Sequence, residues 1–514
     1  MQHSPQLQTN FYSPLNISAN IFDDTNYVEG ATLAYRRYGT LSYTFVDMQA
    51  LDVNQYYAQI PGEIVGNSGV EYFIRAWDNY GLVGASGFAD NPHYVAAMLD
   101  GTVIPGGEIT DLWWNAAQSP YYISSDVYVN PNNLLHIEPG STLIFAPGTG
   151  LEILGGLNAS GANFAAQNNY MGWNGILINN APGPITIQNC SINHAVVGIT
   201  FQNANGDVVG TTISKEAENN TFAGEAGISI QGHSSPNLTD VNIQNYNPGI
   251  LIQNTSGAPC SPTLQFVYMQ QGHTPERELG NGLEVEGNVN LSLDDIEIVG
   301  FDQGIYWIGS QAADLRNSAL LSNIRIRNSS STSRLGSKAM HLQDIASLEL
   351  NEVILEGYQK GIEIDNPNLA HTGTTLLSNI RVRNSASTSR SGDFGVKIDN
   401  SMGVEIDDIE IDDYDLALEV NGAPNTDLRS TVLLSNIRVR NSSSTSRIGS
   451  KAVHLQDISS VQFNTAILEG CQSGIEIDNP NLVNTGNTLL SNIRIRNSAS
   501  TSRSGAYGIK IDNN

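Results

Sequence analysis

Residues 320–334 read LLSNIRIRNSSSTSR, and near-copies of this segment begin at Leu376, Leu433 and Leu489. Identity is higher between alternate copies, so that SKAMHLQDI from Ser337 returns as SKAVHLQDI from Ser450. The single period is about 56 residues and the double period is about 113 residues. Self-similarity at a fixed period is typical of a repeat protein, so this part of the chain is built from a double repeat.

A shorter motif, in which a small residue precedes two apolar residues separated by a variable one, recurs thirteen times from Gly175 to Gly508. GIEIDN, at Gly361 and at Gly474, is a typical copy. From Gly282 onward the spacing of the copies alternates between about 22 and about 35 residues. Alternating apolar residues predict β-strands, and a coil of about 22 residues is the size of one turn of a parallel β-solenoid.

These motifs resemble the right-handed parallel β-helix of the pectin-lyase-like repeat family over about residues 120–514. The segment DVYVNPNNLLHIEPGSTLIFAPGTGLEILGGLNASG from Asp126 resembles the first coils of that family, and MGWNGILINN around Trp173 resembles its first complete coil. The resemblance implies an all-β, right-handed parallel β-helix. It leaves the function open, since the family includes lyases, hydrolases, phage spikes, adhesins and other surface proteins.

The N-terminal residues lack the repeat and contain short alternating segments such as NISANIF, ATLAYRRYG and GVEYFIRAWDNYG. Several short strands separated by turn residues predict a small β-sandwich. The segment resembles the fibronectin type III-like domain of secreted bacterial proteins, which implies a spacer or docking module. We therefore expect a fibronectin type III or immunoglobulin-like sandwich at 1–95, a linker at 96–120, irregular β-helix coils at 121–281 and regular coils at 282–514.

An outward column of alternating charge is expected on the regular coils. We align the second strand of successive coils on its inward apolar residues, from Ile296 to Ile493, and read the position three residues further on. That position alternates base and acid at Arg327, Glu356, Arg383, Asp412, Arg440, Glu469 and Arg496. Neighbouring strands lie about 4.8 Å apart, so opposite charges are expected side by side. We predict that this ladder is structural and fixes the register of the coils.

The composition excludes some classes of partner. Acidic residues outnumber basic ones by 51 to 24, and the resulting net charge of −27 repels nucleic acid. The apolar runs are far shorter than the roughly 18 residues that span a bilayer, so we expect no membrane insertion. Three cysteines without metal-ligand spacing build no disulfide framework. The composition suits an extracellular or cell-surface protein, and the resemblance of the sandwich favours a bacterial source.

A unique active site is expected in the irregular coils, because a catalytic residue is single whereas the charged residues of the regular coils recur with the repeat. The candidates for a polysaccharide lyase or glycoside hydrolase are Lys215, Glu216, His233 and Asp240. No triad or metal-ligand spacing joins them in the sequence. We therefore assign no catalytic residue and favour a non-enzymatic function.

Two further sets of residues are candidates for binding. Asp365 and Asp399 are expected to stack in one outward column, where two carboxylates could share Ca²⁺, although a solvated acidic edge is the favoured interpretation and we expect no cofactor. The Ser-rich loops of the longer coils repeat one arginine each and could bind a glycan or a protein with low affinity per copy. Their candidate residues are Ser333, Arg334, Ser389, Arg390, Ser446, Arg447, Ser502 and Arg503.

Three functions follow from these patterns. The first is an extracellular structural or adhesin-like scaffold that binds a polysaccharide or a cell-surface partner through the Ser-rich loops. The second is a polysaccharide lyase or glycoside hydrolase that acts on a groove of the irregular coils. The third is a subunit of an extracellular filament, because the chain stops at GIKIDNN in mid-pattern and the last coil is expected either to continue in the natural protein or to pair end to end with another chain.

Overall fold

The computed structural model describes most of the chain and divides it into two compact units. The described residues are 1–10, 13–23, 27–65, 69–98, 101–167, 171–215, 226–272, 280–310, 317–328, 336–368, 374–384, 392–422, 430–441, 449–481, 486–496 and 505–512. The first unit comprises Met1–Ile104 and Ala117–Ile123, and the second comprises Pro105–Ala116 and Ser124–Asn514.

The secondary structure is nearly all β, with short 3₁₀ helices at Gly62–Ile64 and Ala116–Gln118. In chain order the strands are β1 (Gln8–Asn10), β2 (Leu15–Asn20), β3 (Val28–Arg37), β4 (Thr44–Asp47), β5 (Gln49–Ala50), β6 (Gln55–Ile60), β7 (Val70–Asp78), β8 (Val83–Ser86), β9 (His93–Met98), β10 (Thr102–Ile104), β11 (Gly107–Glu108), β12 (Trp113–Trp114), β13 (Tyr121–Ile123), β14 (Val127–Val129), β15 (Leu134–Ile137), β16 (Thr142–Phe145), β17 (Gly150–Ile153), β18 (Gly156–Ser160), β19 (Asn163–Ala166), β20 (Gly175–Asn179), β21 (Ile185–Gln188), β22 (Ser191–Asn193), β23 (Val197–Gln202), β24 (Asp207–Val209), β25 (Thr212–Ser214), β26 (Ala226–Gln231), β27 (Asn237–Gln244), β28 (Ile250–Asn254), β29 (Thr263–Gln270), β30 (Asn281–Gly287), β31 (Leu291–Val299), β32 (Gln303–Gly309), β33 (Ser318–Arg327), β34 (Gly336–Gln343), β35 (Ser347–Glu356), β36 (Tyr358–Asp365), β37 (Thr374–Arg383), β38 (Gly392–Asp399), β39 (Gly403–Asp412), β40 (Tyr414–Asn421), β41 (Thr431–Arg440), β42 (Gly449–Gln456), β43 (Ser460–Glu469), β44 (Cys471–Asp478), β45 (Thr488–Arg496) and β46 (Tyr507–Asp512).

The first unit contains the predicted β-sandwich. One sheet has the order β1-β9-β7-β3-β4 with β8 beside β7, and the other has the order β2-β6-β5. Alternate side chains of β2, such as Ile17, and of β7, such as Tyr72 and Ile74, are buried in one core with Leu33 of β3. The burial of one face of each sheet explains the alternating sequence of this part of the chain.

The second unit is the predicted parallel β-helix. Strands β11, β14, β17, β20, β23, β26 and β28 and the even-numbered strands from β30 to β46 form one parallel sheet, called sheet 1 here. The second sheet, called sheet 2, contains the odd-numbered strands from β27 to β45, so each coil of this part contributes one strand to each sheet. Its earlier strands are β10, β12, β13, β15, β16, β18, β19, β21, β22, β24 and β25. In the irregular coils sheet 2 uses two short strands per coil, and β24 and β25 both pair with β27.

Each long strand of sheet 2 bends at one residue in the left-handed region. The bend column is formed by residues with φ between 54° and 59°, namely Asp240, Phe266, Asp295, Asn323, Glu352, Asn379, Asp408, Asn436, Thr465 and Asn492. In β33, Leu321 and Ile324 on either side of the bend are both buried. Because of the bend, the segments before and after it both direct side chains into the core. Asn and Asp tolerate this conformation better than other non-glycine residues, which explains their frequency in the column.

Large side chains fill one corner of the regular coils at every second coil. Phe301, Tyr358, Tyr414 and Cys471 are buried there, one in each copy of the repeat. The hydroxyl of Tyr358 donates to the backbone oxygen of Phe301 over 3.1 Å, and that of Tyr414 donates to the oxygen of Tyr358 over 3.1 Å. Cys471 replaces the ring in the last copy, where burial raises its pKa to about 12. A thiol of that kind is a packing group rather than a nucleophile.

Candidate functional site

The alternating ladder lies on the outer face of sheet 2. The register aligns Arg327 with Glu356 and continues the alternation of arginine and acid through β45. Ion pairs join Arg383 to Asp412 over 3.5 Å and Arg496 to Glu469 over 3.4 Å. In the described coils, each of the four ladder arginines contacts at least one carboxylate.

A second column, one residue before each bend, clamps successive coils together. Asp294 accepts hydrogen bonds from Ser322 over 2.9 Å and from Asn323 over 2.8 Å. The equivalent acid of the next double repeat, Asp407, accepts them from Ser435 over 2.7 Å and from Asn436 over 2.9 Å. The serine of each LLSN segment therefore donates to the preceding coil, and the repeated carboxylates have a structural partner.

We expect Asp407→Ala to lower the free energy of unfolding by about 1 kcal/mol, because two hydrogen bonds to the carboxylate are lost. The hydroxyl of Ser435 and the amide of Asn436 lower the pKa of Asp407 in the folded protein. Its contribution is therefore fully present above the ordinary aspartate pKa of about 3.9 and is lost as the pH falls through the lowered pKa of the folded state. Urea unfolding measured at neutral pH and at a series of acidic pH values tests both effects.

Asp407→Asn is the matched control, since Asn351 accepts the equivalent bond from Ser378 over 2.8 Å. We expect this variant to keep most of the stability and to lose the acid dependence contributed by position 407. Equal destabilisation by alanine and asparagine would contradict the clamp.

An open trough follows the bend of sheet 2 over four successive coils. Its volume is about 490 Å³. It is lined by the bend column, by the middle column, which consists of the residues two positions after each bend, and by two isoleucines that lie between these columns. The lining residues are Asp295, Ile296, Glu297, Asn323, Ile324, Arg325, Glu352, Ile354, Asn379 and Arg381. The walls thus combine carboxylates, amides, two guanidinium groups and three isoleucine side chains.

Arg325 is an exposed arginine of this trough that forms no ion pair with another described residue. Its neighbour in the preceding coil is Glu297, but that carboxylate pairs with Arg327 over 2.6 Å. Its neighbour in the following coil is Ile354, which offers no charge. The guanidinium of Arg325 is therefore presented to solvent between a neutralised glutamate and an apolar side chain.

Arg438 repeats this arrangement in the next double repeat. Its neighbours in register are Glu410 and Ile467. Glu410 pairs with Arg440, and Arg438 is exposed without an ion pair to any residue that the structure describes. In both copies of the double repeat, the glutamate thus pairs with the ladder arginine, and the equivalent middle-column arginine has no ion pair with a described residue.

Arg381, two coils after Arg325, is engaged and closes the other side of the trough. It contacts Asp408 over 3.1 Å and Glu410 over 3.3 Å. Two coils correspond to about 9.6 Å along the stack. The half-buried side chain of Ile354 lies between the two arginines in register. An anionic group that approaches Arg325 therefore meets an apolar surface beside it.

The candidate catalytic residues lie on different parts of the irregular coils. Lys215 follows β25 and is buried, with its Nζ 4.9 Å from the ring centre of Tyr246. His233 follows β26 and is exposed, and its Nδ1 lies 3.4 Å from Oγ of Ser256. Asp240 belongs to the bend column within β27, so its position has a conformational role. Glu216 lies outside the described residues.

Asp365 and Asp399 are neighbours in sheet 1, in register. Asn400 donates to Asp365 over 2.8 Å, and Lys397 contacts Asp399 over 3.0 Å. Burial, followed by the charge of Asp399, raises the pKa of Asp365. In the described part of the chain, no group of three or more His, Cys, Asp or Glu side chains could hold a metal ion. The eight residues of the Ser-rich loops lie outside the described residues.

The middle column was not among the residues predicted from the sequence. The paired arginines of each IRIR or IRVR segment point to the same face, and the predicted ladder contains only the second arginine of each pair. A sign was present in the sequence, because the coils between Arg325 and Arg381 and between Arg438 and Arg494 carry isoleucine instead of acid at the equivalent position. Which arginine each glutamate contacts depends on side-chain geometry that the sequence does not give.

No protein-family model matches this chain, and no curated protein matches it significantly. Among the residues described, no helix is long and apolar enough to cross a membrane.

Proposed function

We propose that this chain is an extracellular, non-catalytic β-helix scaffold that binds an acidic polysaccharide along sheet 2. The observation that carries the proposal is the repeated exposure of Arg325 and Arg438 without an ion pair in the described structure. Structural arginines in the same coils have carboxylate partners, whereas these two are open in both copies of the repeat. An unneutralised guanidinium suits a carboxylate or sulfate group of a ligand.

A long, linear ligand is favoured by the periodicity of these groups. Arg325 and Arg438 are four coils apart, or about 19 Å along the stack. A polymer with regularly placed acidic groups can engage both, and the second contact then forms at a high effective concentration. The half-buried isoleucine beside each arginine suits the apolar face of a sugar ring, which a short polar peptide or a free ion would not use.

The net charge of −27 does not prevent this interaction at physiological salt. Exposed charges separated by more than about 8 Å are largely screened at that ionic strength. The groups closest to a ligand then dominate, and Glu297 and Glu410, the carboxylates in register with the open arginines, are already neutralised by ladder arginines. The other lining carboxylates, Asp295 and Glu352, belong to the bend column and not to the column of Arg325. Very low salt is expected to weaken binding by general repulsion, and high salt by screening the arginines.

The proposal also includes the properties that the family resemblance of the sequence implies. Membership of the pectin-lyase-like group, secretion and an adhesin-like role agree with a repeat-built surface that presents equivalent groups at regular intervals. The N-terminal sandwich then acts as a spacer or docking module, as its resemblance to fibronectin type III domains implies. Lyase or hydrolase activity in the irregular coils and end-to-end filament assembly remain predictions.

The test is equilibrium binding of the full chain to hyaluronan, alginate and chondroitin sulfate, with dextran and carboxyl-reduced hyaluronan as neutral controls. We expect saturable binding to acidic polymers, weaker binding to the neutral ones, and no new reducing ends or unsaturated products. Equal affinity for hyaluronan and its carboxyl-reduced form would refute the role of the arginines. Product formation would favour the lyase or hydrolase alternative instead.

A further inference from the structure

Phe266 is the exceptional residue of the bend column. It has a φ of 54° although it is bulky and aromatic, and half of its side-chain surface is exposed. Most other members of the column are Asp or Asn, which tolerate this conformation. Glu352 and Thr465 share this conformation, so Phe266 is distinguished by its exposed aromatic ring together with the strained backbone.

The position of Phe266 is at one end of the trough. The register of β29 and β31 places it beside Asp295, the first bend residue of the lining. Two positions later, Tyr268 lies beside Glu297 in the middle column. The hydroxyl of Tyr268 donates to Gln270 over 2.9 Å, which fixes the direction of its ring. Two aromatic side chains therefore continue the two columns that line the trough.

The ring of Phe266 is only partly covered by the fold, because half of its surface is exposed. It makes no ring contact with another described residue, and the exposed Phe, Tyr and Trp side chains in the described part of the second unit are Trp113 and Phe266. An exposed aromatic ring beside polar groups is a surface on which a ligand can stack.

We propose that Phe266 and Tyr268 form a sugar-stacking subsite at this end of the trough. The inference rests on the proposed function and deepens it. Tyr268 lies two coils, or about 9.6 Å, from Arg325 in the middle column. One sugar ring packs its apolar face on the aromatic pair while an acidic group further along the same polymer contacts Arg325. The ligand class is thus a polysaccharide with both an apolar ring face and acidic substituents.

The left-handed backbone provides a test that separates a ligand-binding role from a packing role. Phe266→Asn places the preferred residue type of the column at this position and relieves the strain. We expect its midpoint of urea unfolding to rise, while its affinity for hyaluronan oligosaccharides falls about threefold to tenfold. A residue that packed the fold would give the opposite change in stability.

Two control variants accompany this experiment. Phe266→Tyr keeps the ring and is expected to bind as the wild type does, within about twofold. Thr465→Asn relieves the same backbone conformation at another coil, so its unfolding midpoint is also expected to rise. Carboxyl-reduced hyaluronan isolates the stacking, because Phe266→Asn should weaken binding of this neutral form by the same factor as binding of hyaluronan.

The outcomes distinguish the two proposals. Full affinity of Phe266→Asn, together with hyaluronan binding by the wild type that depends on Arg325, overturns the stacking subsite and leaves the proposed function in place. A Phe266→Asn variant that unfolds more easily than the wild type also overturns the subsite, because the ring then serves packing. Failure of the wild-type chain to bind any acidic polysaccharide overturns both.

Discussion

Replacing Tyr414 by alanine is expected to lower the free energy of unfolding of the β-helix by about 3–5 kcal/mol. The ring is buried against Gly392, where an added Cβ would clash with its carbon atoms. Its hydroxyl donates to the backbone oxygen of Tyr358 two coils earlier. Removal therefore creates a cavity and leaves that oxygen without this donor. Urea unfolding followed by far-ultraviolet circular dichroism measures the change.

Tyr414→Phe separates packing from hydrogen bonding, because it keeps the ring and removes only the hydroxyl. We expect this variant to lose about 1 kcal/mol. Cys471 occupies this corner in the last copy of the repeat, where no aromatic ring is present. There Asn441 donates to the Sγ of Cys471 over 3.1 Å and fills the space above Gly449. A Tyr414→Ala variant as stable as the wild type would show that the corner column contributes little.

The double variant Arg325→Gln, Arg438→Gln is expected to weaken hyaluronan binding by about tenfold to a hundredfold. Each substitution removes a charged hydrogen bond, which contributes about 1.5–3 kcal/mol when it is shielded from water. Solvent exposure weakens both bonds, so we expect a combined loss of about 1.4–2.8 kcal/mol, which is below the sum of two shielded bonds. The stability of the fold should change little, because neither arginine has an ion pair in the described structure. Isothermal titration calorimetry and urea unfolding of the same samples measure both quantities.

The matched control is Arg37→Gln, Arg75→Gln, which removes the same net charge from the first unit. Both arginines are exposed, and neither has an ion pair with another described residue. We expect this variant to bind hyaluronan as the wild type does. The ladder arginines Arg327 and Arg440 are unsuitable as a control, because their loss would free Glu297 and Glu410 to pair with the open arginines. An equal loss of affinity in both double variants would mean that net charge, and not the open arginines, determines binding.

The repeat allowed much of the fold to be predicted from the sequence. The alternation of apolar residues identified the parallel β-helix and the sandwich. The alternation of bases and acids at Arg327, Glu356 and Arg383 also follows from the period of the repeat, because residues one coil apart must lie side by side in a parallel stack.

The open arginines could not be predicted in the same way. Arg325 has Glu297 as its neighbour in register, which suggests a further structural ion pair between the two. The structure shows that Glu297 contacts Arg327 instead, across the diagonal. A choice between two arginines within reach depends on rotamers and competing contacts. The left-handed conformation of Phe266 could not be predicted from the sequence either, because a phenylalanine does not resemble the Asn and Asp at most of the other bends.

A crystal structure of the full chain with a bound hyaluronan oligosaccharide tests the central claim most directly. We expect the sugar chain to run along sheet 2, with a carboxylate within hydrogen-bonding distance of the Arg325 or Arg438 guanidinium and a ring against Phe266. An oligosaccharide bound elsewhere, on the Ser-rich loops or beside Lys215, with both arginines uncontacted, would contradict the proposal.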